Sequence, residues 1–108
     1  MRAFLISQED LPIAVVFHNY ATGDIYCRSV VRSLALAFDA ECSKHQVLFK
    51  KDGSSGEILR AVSSGAHEYD WARSVLDQLC VEPWKYRDLG TISGTESSID
   101  AVIAKYLI

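Results

Sequence analysis

The sequence has few of the residues that mark fibrous, low-complexity or disulfide-rich proteins. Of its 108 residues, two are proline and six are glycine, which excludes collagen-like and low-complexity chains. The longest apolar run, Ile13–Phe17, is much shorter than the roughly 20 residues that span a bilayer. With 49% hydrophobic and 23% charged residues, the composition is typical of a globular protein. We therefore expect one compact domain over residues 1–108.

The small number of cysteines indicates in which cellular compartment the protein acts. The three cysteines are an odd number at wide spacings, whereas small secreted scaffolds carry several pairs. The apolar stretch at residues 3–6 is shorter than a signal-peptide core, and Gln8, Glu9 and Asp10 follow it directly. We therefore expect a cytoplasmic protein.

Neither sign of charge dominates strongly, but the balance is acidic. Eleven Lys and Arg against 14 Asp and Glu give a net charge of -3, and the isoelectric point is near 5.5. A partner that is held mainly through its phosphates would meet a repulsive field. The sequence thus makes nucleic acid an unexpected partner and a protein the expected one.

Strand-like segments occur at both ends of the chain and in the middle. Residues 2–7, 12–18 and 46–50 are short runs rich in apolar, β-branched and aromatic residues, and 86–92 is a weaker candidate. The second segment is almost continuously apolar through Ile13–Phe17, which is typical of a strand that is covered on both faces.

Helical periodicity is found in four other segments. The clearest apolar stripes lie in 25–43, 67–81 and 97–107, and 57–62 gives a short fourth helix. A strand over Ile25–Val31 competes with the start of the first helix and ranks second. We predict an α+β fold, a small and mainly antiparallel sheet packed against three or four helices, with a three-layer α/β arrangement as the alternative.

Two glycine-containing loops each precede a predicted helix. Asp52–Gly56 and Gly90–Thr95 could present backbone N–H groups to an anion, but neither matches a phosphate-binding motif. Helix capping is the favoured interpretation of both loops. Ser97 and Asp100 are spaced like the two partners of a capping box.

Histidine and lysine offer one catalytic alternative. His18 and His67 could exchange protons with an RNA 2'-hydroxyl and the leaving oxygen, while Lys50 or Lys85 stabilised the phosphorane. No spacing rule connects these residues, so exposed turn or capping positions are the favoured interpretation. We lean against an enzyme.

The cysteines carry no recognisable site. Cys27 with His45 or His67 could form an activated thiolate, and Cys42 with His45 could supply two metal ligands, but a structural zinc needs four. Cys42 and Cys80 lie on apolar helix faces, which favours a packing role. We expect no metal and no cofactor.

Aromatic residues beside carboxylates give the leading functional hypothesis. Large amphipathic rings with polar neighbours are the residue types that dominate protein interfaces. An acidic surface carrying them could dock on a basic enzyme by imitating phosphate charge. The candidate partner-binding residues are Glu68, Tyr69, Asp70, Trp71, Asp77, Glu82, Trp84, Tyr86 and Asp88.

The sequence therefore favours a small acidic protein-binding module, of the inhibitor or immunity-protein type, whose partner is a nuclease or another basic enzyme. Two alternatives stay open. One is a subunit of a homo-oligomeric structural or regulatory assembly, and the other is a ribonuclease-like enzyme that uses His18 and His67.

Overall fold

A computed structural model describes residues 1–19, 25–43, 47–51, 58–63 and 71–107. Strands and helices alternate irregularly along the chain, and we number each kind in chain order. The strands are β1 (Arg2–Gln8), β2 (Leu11–His18), β3 (Ile25–Ser29), β4 (Val47–Lys51), β5 (Ile58–Ser63) and β6 (Trp84–Thr91). The helices are α1 (Arg32–Ser43), α2 (Trp71–Leu79) and α3 (Glu96–Leu107).

All six strands belong to one sheet in the order β4-β5-β3-β2-β1-β6. Every neighbouring pair is antiparallel. The predicted α+β class is therefore confirmed, and the parallel pairing of the α/β alternative is absent from the described strands. The two edge strands are β4 and β6, so each of them hydrogen-bonds to one neighbouring strand.

Helices cover both faces of this sheet. On one face, alternate residues of β1 and β2, such as Phe4 and Val16, are fully buried against α1 and α2. On the other face, Leu5, Val15 and Phe17 are buried against the apolar side of α3. The nearly continuous apolar run of β2 follows from this, because both of its faces lie in a core.

The predicted first helix is wrong in its first part, where the chain forms β3. Ile25, Cys27 and Ser29 are buried and alternate with half-buried Tyr26 and Arg28, which is the period of a strand. The second-ranked interpretation of this segment was therefore the correct one.

A single serine turns the chain from β3 into α1. The Ser29 hydroxyl accepts a hydrogen bond from Val31 N at 3.0 Å and donates to Val31 O at 2.7 Å. The helix then buries the predicted stripe of Ala35, Phe38 and Cys42. A turn stabilised by the Ser29 hydroxyl therefore separates β3 from α1, which the apolar periodicity predicts as one helix.

The predicted short helix at 57–62 is also wrong, because residues 58–63 form β5. This strand pairs with β3 on one side and with β4 on the other. The apolar run of 57–62 fits either period, and pairing on both sides decides in favour of the strand. The Asp52–Gly56 loop lies outside the described residues, but β5 follows it in place of a helix, so its favoured capping interpretation is wrong and the anion-binding alternative loses its helix N-terminus.

The last helix begins one residue earlier than predicted. Thr95 precedes it, and Thr95 Oγ1 accepts a hydrogen bond from Ser98 N at 3.3 Å. Ile99 N bonds to Thr95 O at 3.1 Å. The N-cap is therefore Thr95, and the predicted box of Ser97 and Asp100 is wrong. Within the described ranges, no helix is both long and apolar enough to cross a membrane.

The tight turn between β1 and β2 has an unusual backbone. Glu9 and Asp10 have φ angles of 51° and 65°, in the left-handed region. Two-residue hairpins of this kind favour Asn-Gly, because glycine has no Cβ atom to meet the backbone and the short Asn side chain can hydrogen-bond locally. The turn therefore holds two acidic residues in a conformation that opposes folding.

We expect the double substitution Glu9→Asn/Asp10→Gly to raise the free energy of unfolding by about 1 kcal/mol, because it removes this strain. Urea denaturation at pH 7 measures the change. Asp100→Gly in α3 is the control and should lower stability by a similar amount, since glycine weakens a helix. A double variant no more stable than the parent would contradict the strain argument.

Candidate partner-binding surface

Strand β6 and helix α2 bring several predicted partner-binding residues together. Trp84, Tyr86 and Asp88 alternate along β6 and are half-buried, whereas Lys85 and Arg87 between them are exposed. Trp84 and Tyr86 pack against the core that α1 and α2 form with the sheet. The period-two alternation therefore directs the predicted aromatic residues toward α2.

Asp88 is held by two arginines from different parts of the chain. Its Oδ2 atom lies 2.8 Å from Arg2 Nε and 2.8 Å from Arg73 Nη2. Its Oδ1 atom accepts a hydrogen bond from Gly90 N at 2.7 Å. We call Arg2, Arg73 and Asp88 the Asp88 cluster. It joins the first strand, the second helix and the last strand.

The electrostatics of Asp88 follow from these contacts. Burial by itself would raise the pKa of its carboxyl group. The hydrogen bonds from Gly90 and Arg2, together with the charges of Arg2 and Arg73, outweigh burial and lower that pKa. Gly90 N belongs to the loop for which anion binding is the less favoured interpretation, and it is bonded to a carboxylate of the same strand.

Asp77 also has a partner within the chain. It accepts a short hydrogen bond from the Tyr86 hydroxyl. This bond, followed by burial, raises the pKa of Tyr86 to about 12. The Tyr86 ring meets Phe4 edge to face at 6.2 Å, and the Arg73 guanidinium lies 5.8 Å from the centre of the Phe4 ring. Asp77, Tyr86 and Asp88 therefore hold α2 on the sheet.

Trp84 is anchored in the same way at the other end of β6. Its Nε1 atom donates a hydrogen bond to Gln8 Oε1 at 3.0 Å, and Gln8 is its cross-strand neighbour. The ring is half-buried, so one part of it packs on the core and another part reaches the surface.

A second group of acids remains on the surface at the end of the sheet. The turn residues Glu9 and Asp10 line a cleft of about 230 Å³ together with Glu82, Pro83 and Lys85. We call Glu9, Asp10 and Glu82 the acidic tip. All three are exposed, and none makes an ion pair or side-chain hydrogen bond within the described ranges.

Two large apolar side chains flank the acidic tip in sequence. Leu11 is 66% exposed directly after Asp10, and Val81 is 63% exposed directly before Glu82. Of the three acids in the tip, Glu82 is among the predicted partner-binding residues, whereas Glu9 and Asp10 are not. Turns of this kind usually contain Asn-Gly. The presence of two acids instead is the sequence feature that could have identified Glu9 and Asp10 as functional candidates.

Four other predicted partner-binding residues precede or begin α2. Glu68, Tyr69 and Asp70 lie outside the described residues. Trp71 is the first residue of α2. The surface that the structure does describe therefore consists of α2, β6 and the adjoining turn.

The catalytic alternative meets an obstacle at His18. This residue is 1% exposed at the end of β2, so the predicted surface position is wrong. Burial, and secondarily the charge of the N-terminus, lowers the pKa of His18 to about 4. His67 lies outside the described residues, and Lys50 belongs to β4.

The cysteines follow the packing interpretation where the structure describes them. Cys27 and Cys42 are buried free thiols, and Cys80 is half-buried against the same core. Burial raises the pKa of the Cys42 thiol, and it raises that of Cys80 to about 12. Both groups therefore favour the protonated thiol over the reactive thiolate. His45, the other half of the proposed pairs, lies outside the described residues.

Comparisons with known proteins assign no function to the chain, so functional inference rests on this surface. No protein family model matches the chain, and neither the curated proteins nor the solved structures contain a match.

We expect Asp88→Asn to lower the free energy of unfolding at pH 7 by about 1 kcal/mol, because it removes the charge that two arginines share. Asp100→Asn, on the exposed side of α3, is the matched control and should change stability little. Urea denaturation measures both.

The difference between Asp88→Asn and the parent should also depend on pH. The folded-state pKa of Asp88 lies below its ordinary value of 3.8, so its contribution is complete above that value and is lost as the pH falls through the folded-state pKa. A difference that stays constant down to pH 2 would argue against an ionic contribution.

Burial of His18 predicts a second pH effect. The unfolded chain binds a proton near the ordinary pKa of 6.5 and the folded chain only near 4, so stability should fall as the pH drops between these values. The limiting slope is about 1.4 kcal/mol per pH unit. Thermal denaturation of the parent and of His18→Gln tests this, since the variant should lack that slope. Equal slopes would contradict a buried neutral imidazole.

Proposed function

We propose that this protein is a small protein-binding module that docks on a basic partner through its acidic tip. Within this class, we propose an inhibitor or immunity-type protein that occludes a basic enzyme such as a nuclease. The observation that carries the proposal is the acidic tip itself, where exposed carboxylates with no described partner stand beside Leu11 and Val81.

The distribution of charge favours the tip over the rest of the acidic surface. Asp88 is bonded to two arginines, and Asp77 accepts the Tyr86 hydroxyl, so neither is fully available to a partner. Glu9, Asp10 and Glu82 have no such contacts among the described residues. Such carboxylates steer a basic partner and increase its association rate.

The backbone of the turn supports the same conclusion. Glu9 and Asp10 both adopt left-handed φ angles, which stability alone would assign to Asn and Gly. Strain of this kind concentrates at functional sites, where it fixes side chains in a particular orientation. Two acids held at an exposed turn are suited to electrostatic docking.

Apolar groups beside the tip would add affinity. Leu11 and Val81 are more than half exposed, and a partner that covered them would remove apolar surface from water. Trp84 adds a half-buried ring that is anchored by Gln8. Charges at the rim and apolar groups near the centre are the usual composition of a protein interface.

We also propose that the protein acts in the cytoplasm. Cys27, Cys42 and Cys80 are all free thiols, which a reducing compartment preserves. The net charge of -3 disfavours nucleic acid as the direct partner.

Affinity capture with a charge-reversed tip tests the proposal. The parent and Glu9→Lys/Glu82→Lys, each tagged, are used to capture proteins from extracts of the source cells, and recovery is quantified by mass spectrometry. The parent should recover a basic protein in stoichiometric amount, and the variant should recover at least tenfold less, since like charges then oppose.

The matched control is Glu96→Lys/Asp100→Lys, which makes the same change in net charge on α3. It should recover the partner as well as the parent does, and recovery by the parent should fall as salt is raised. Equal recovery by tip variant and parent would refute docking at the tip. Recovery of the chain alone, in a self-associated form, would instead favour the homo-oligomer alternative.

A further inference from the structure

A second cavity lies along β6, beside the apolar core that α3 covers. Its volume is about 380 Å³, and we call it the β6 groove. It combines apolar residues, hydroxyl-bearing residues, two cations and the carboxylate of Asp10. Its lining includes Leu5, Ser7, Pro12, Lys85, Arg87 and Tyr106.

The two cations occupy corresponding positions on one face of the strand. Lys85 and Arg87 are two residues apart on β6, so their side chains leave the same face about 7 Å apart. They pair across the ladder with Ser7 and Leu5 of β1. Both are exposed, and neither makes an ion pair or side-chain hydrogen bond with a described residue.

The groove is adjacent to an open sheet edge. Strand β6 is the last in the sheet order, and no described strand pairs with its outer side. A register shift opposite Ala3 and Phe4, with Gly90 at φ 90°, disturbs the strand near its C-terminal end. Regular edge pairing is therefore confined to Trp84–Asp88.

The same two cations disfavour a second copy of this chain on that edge. When two β6 strands pair antiparallel, side chains that lie directly opposite share one face of the joined sheet. Lys85 of one copy would then face Lys85 or Arg87 of the other, which is repulsive. An acidic strand would instead place carboxylates opposite these cations.

We propose that the β6 edge binds an extended acidic peptide segment as an added strand. Acidic side chains two residues apart in the peptide would meet Lys85 and Arg87. Backbone hydrogen bonds to β6 would supply affinity, and the charge pairs would supply specificity. Asp10 is the acid that lines the groove, at its Lys85 end, so Arg87 is the stronger of the two anchors.

This inference does not rest on docking at the acidic tip, because it requires a partner segment of the opposite charge, although the two surfaces adjoin and share Asp10 and Lys85. The occupant is an acidic segment of a separate protein, since Lys85 and Arg87 disfavour a second copy of this chain.

Titration with defined peptides tests the inference. The probe is a fluorescein-labelled, end-blocked peptide of alternating Thr and Glu, seven residues long, and the matched control peptide has Gln in place of Glu. Fluorescence anisotropy should show saturable binding of the Glu peptide and at least tenfold weaker binding of the Gln peptide.

Variants assign the site. Arg87→Glu should weaken binding of the acidic peptide at least tenfold, whereas Arg32→Glu, which makes the same charge change on α1, should leave it within twofold. Both variants should melt within a few degrees of the parent, so a loss of binding by Arg87→Glu would not reflect unfolding.

Amide hydrogen exchange separates strand addition from simple ion pairing. Outward-facing amides of Trp84–Asp88 should become protected when the acidic peptide binds, and a peptide N-methylated at alternate residues should neither bind nor protect them. Binding without protection would overturn the added strand. Equal binding of free glutarate, equal binding of the Gln peptide, or no saturable binding at millimolar peptide would overturn peptide recognition.

Discussion

The fold depends on strand β1, which pairs antiparallel with β2 on one side and with β6 on the other. Its side chains alternate between the core under α1 and α2 and the core under α3, so both cores contain residues of this one strand. Its first residue, Arg2, also binds Asp88 and so helps to fix α2 through Arg73. Displacing β1 would therefore separate the last strand and disturb the helices on both faces of the sheet.

The position of β6 at the edge follows from this arrangement and accounts for the division of its residues. Because β6 pairs with one of the described strands, its inward-facing residues are fixed by β1 and α2, through Trp84 to Gln8 and Tyr86 to Asp77. The outward-facing Lys85 and Arg87 have no described partner and stay exposed. One strand thus carries the contacts that stabilise the fold on one face and leaves free charge on the other.

The sequence predicts the elements whose apolar pattern has one interpretation. The strands β1 and β2, the stripe of α1 and the final helix all follow from residues close together in the chain. The strands β3 and β5 do not, because the apolar residues of 25–43 and 57–62 fit a helical period until pairing with distant strands decides. The candidate site divides in the same way. The sequence pattern singles out Glu82 of the acidic tip, whereas Tyr86 and Asp88, also predicted to bind a partner, form bonds within the chain to Asp77 and to two arginines. Arg2 lies 86 positions from Asp88, so the ion pair between them has no local signal.

The contrast between ion-paired and unpaired carboxylates indicates that the residues of the β1–β2 turn are not those that would make the fold most stable. A chain that used all its carboxylates structurally would place them as it places Asp88, beside arginines, and would close the β1–β2 hairpin with Asn and Gly. Instead, Glu9 and Asp10 keep left-handed backbones at an exposed turn, beside Glu82. Lys85 lines both the acidic cleft and the β6 groove, so negative and positive surfaces adjoin at this end of the sheet. Because the two adjoining surfaces carry opposite charge, a partner with complementary charges for both could dock in one orientation only.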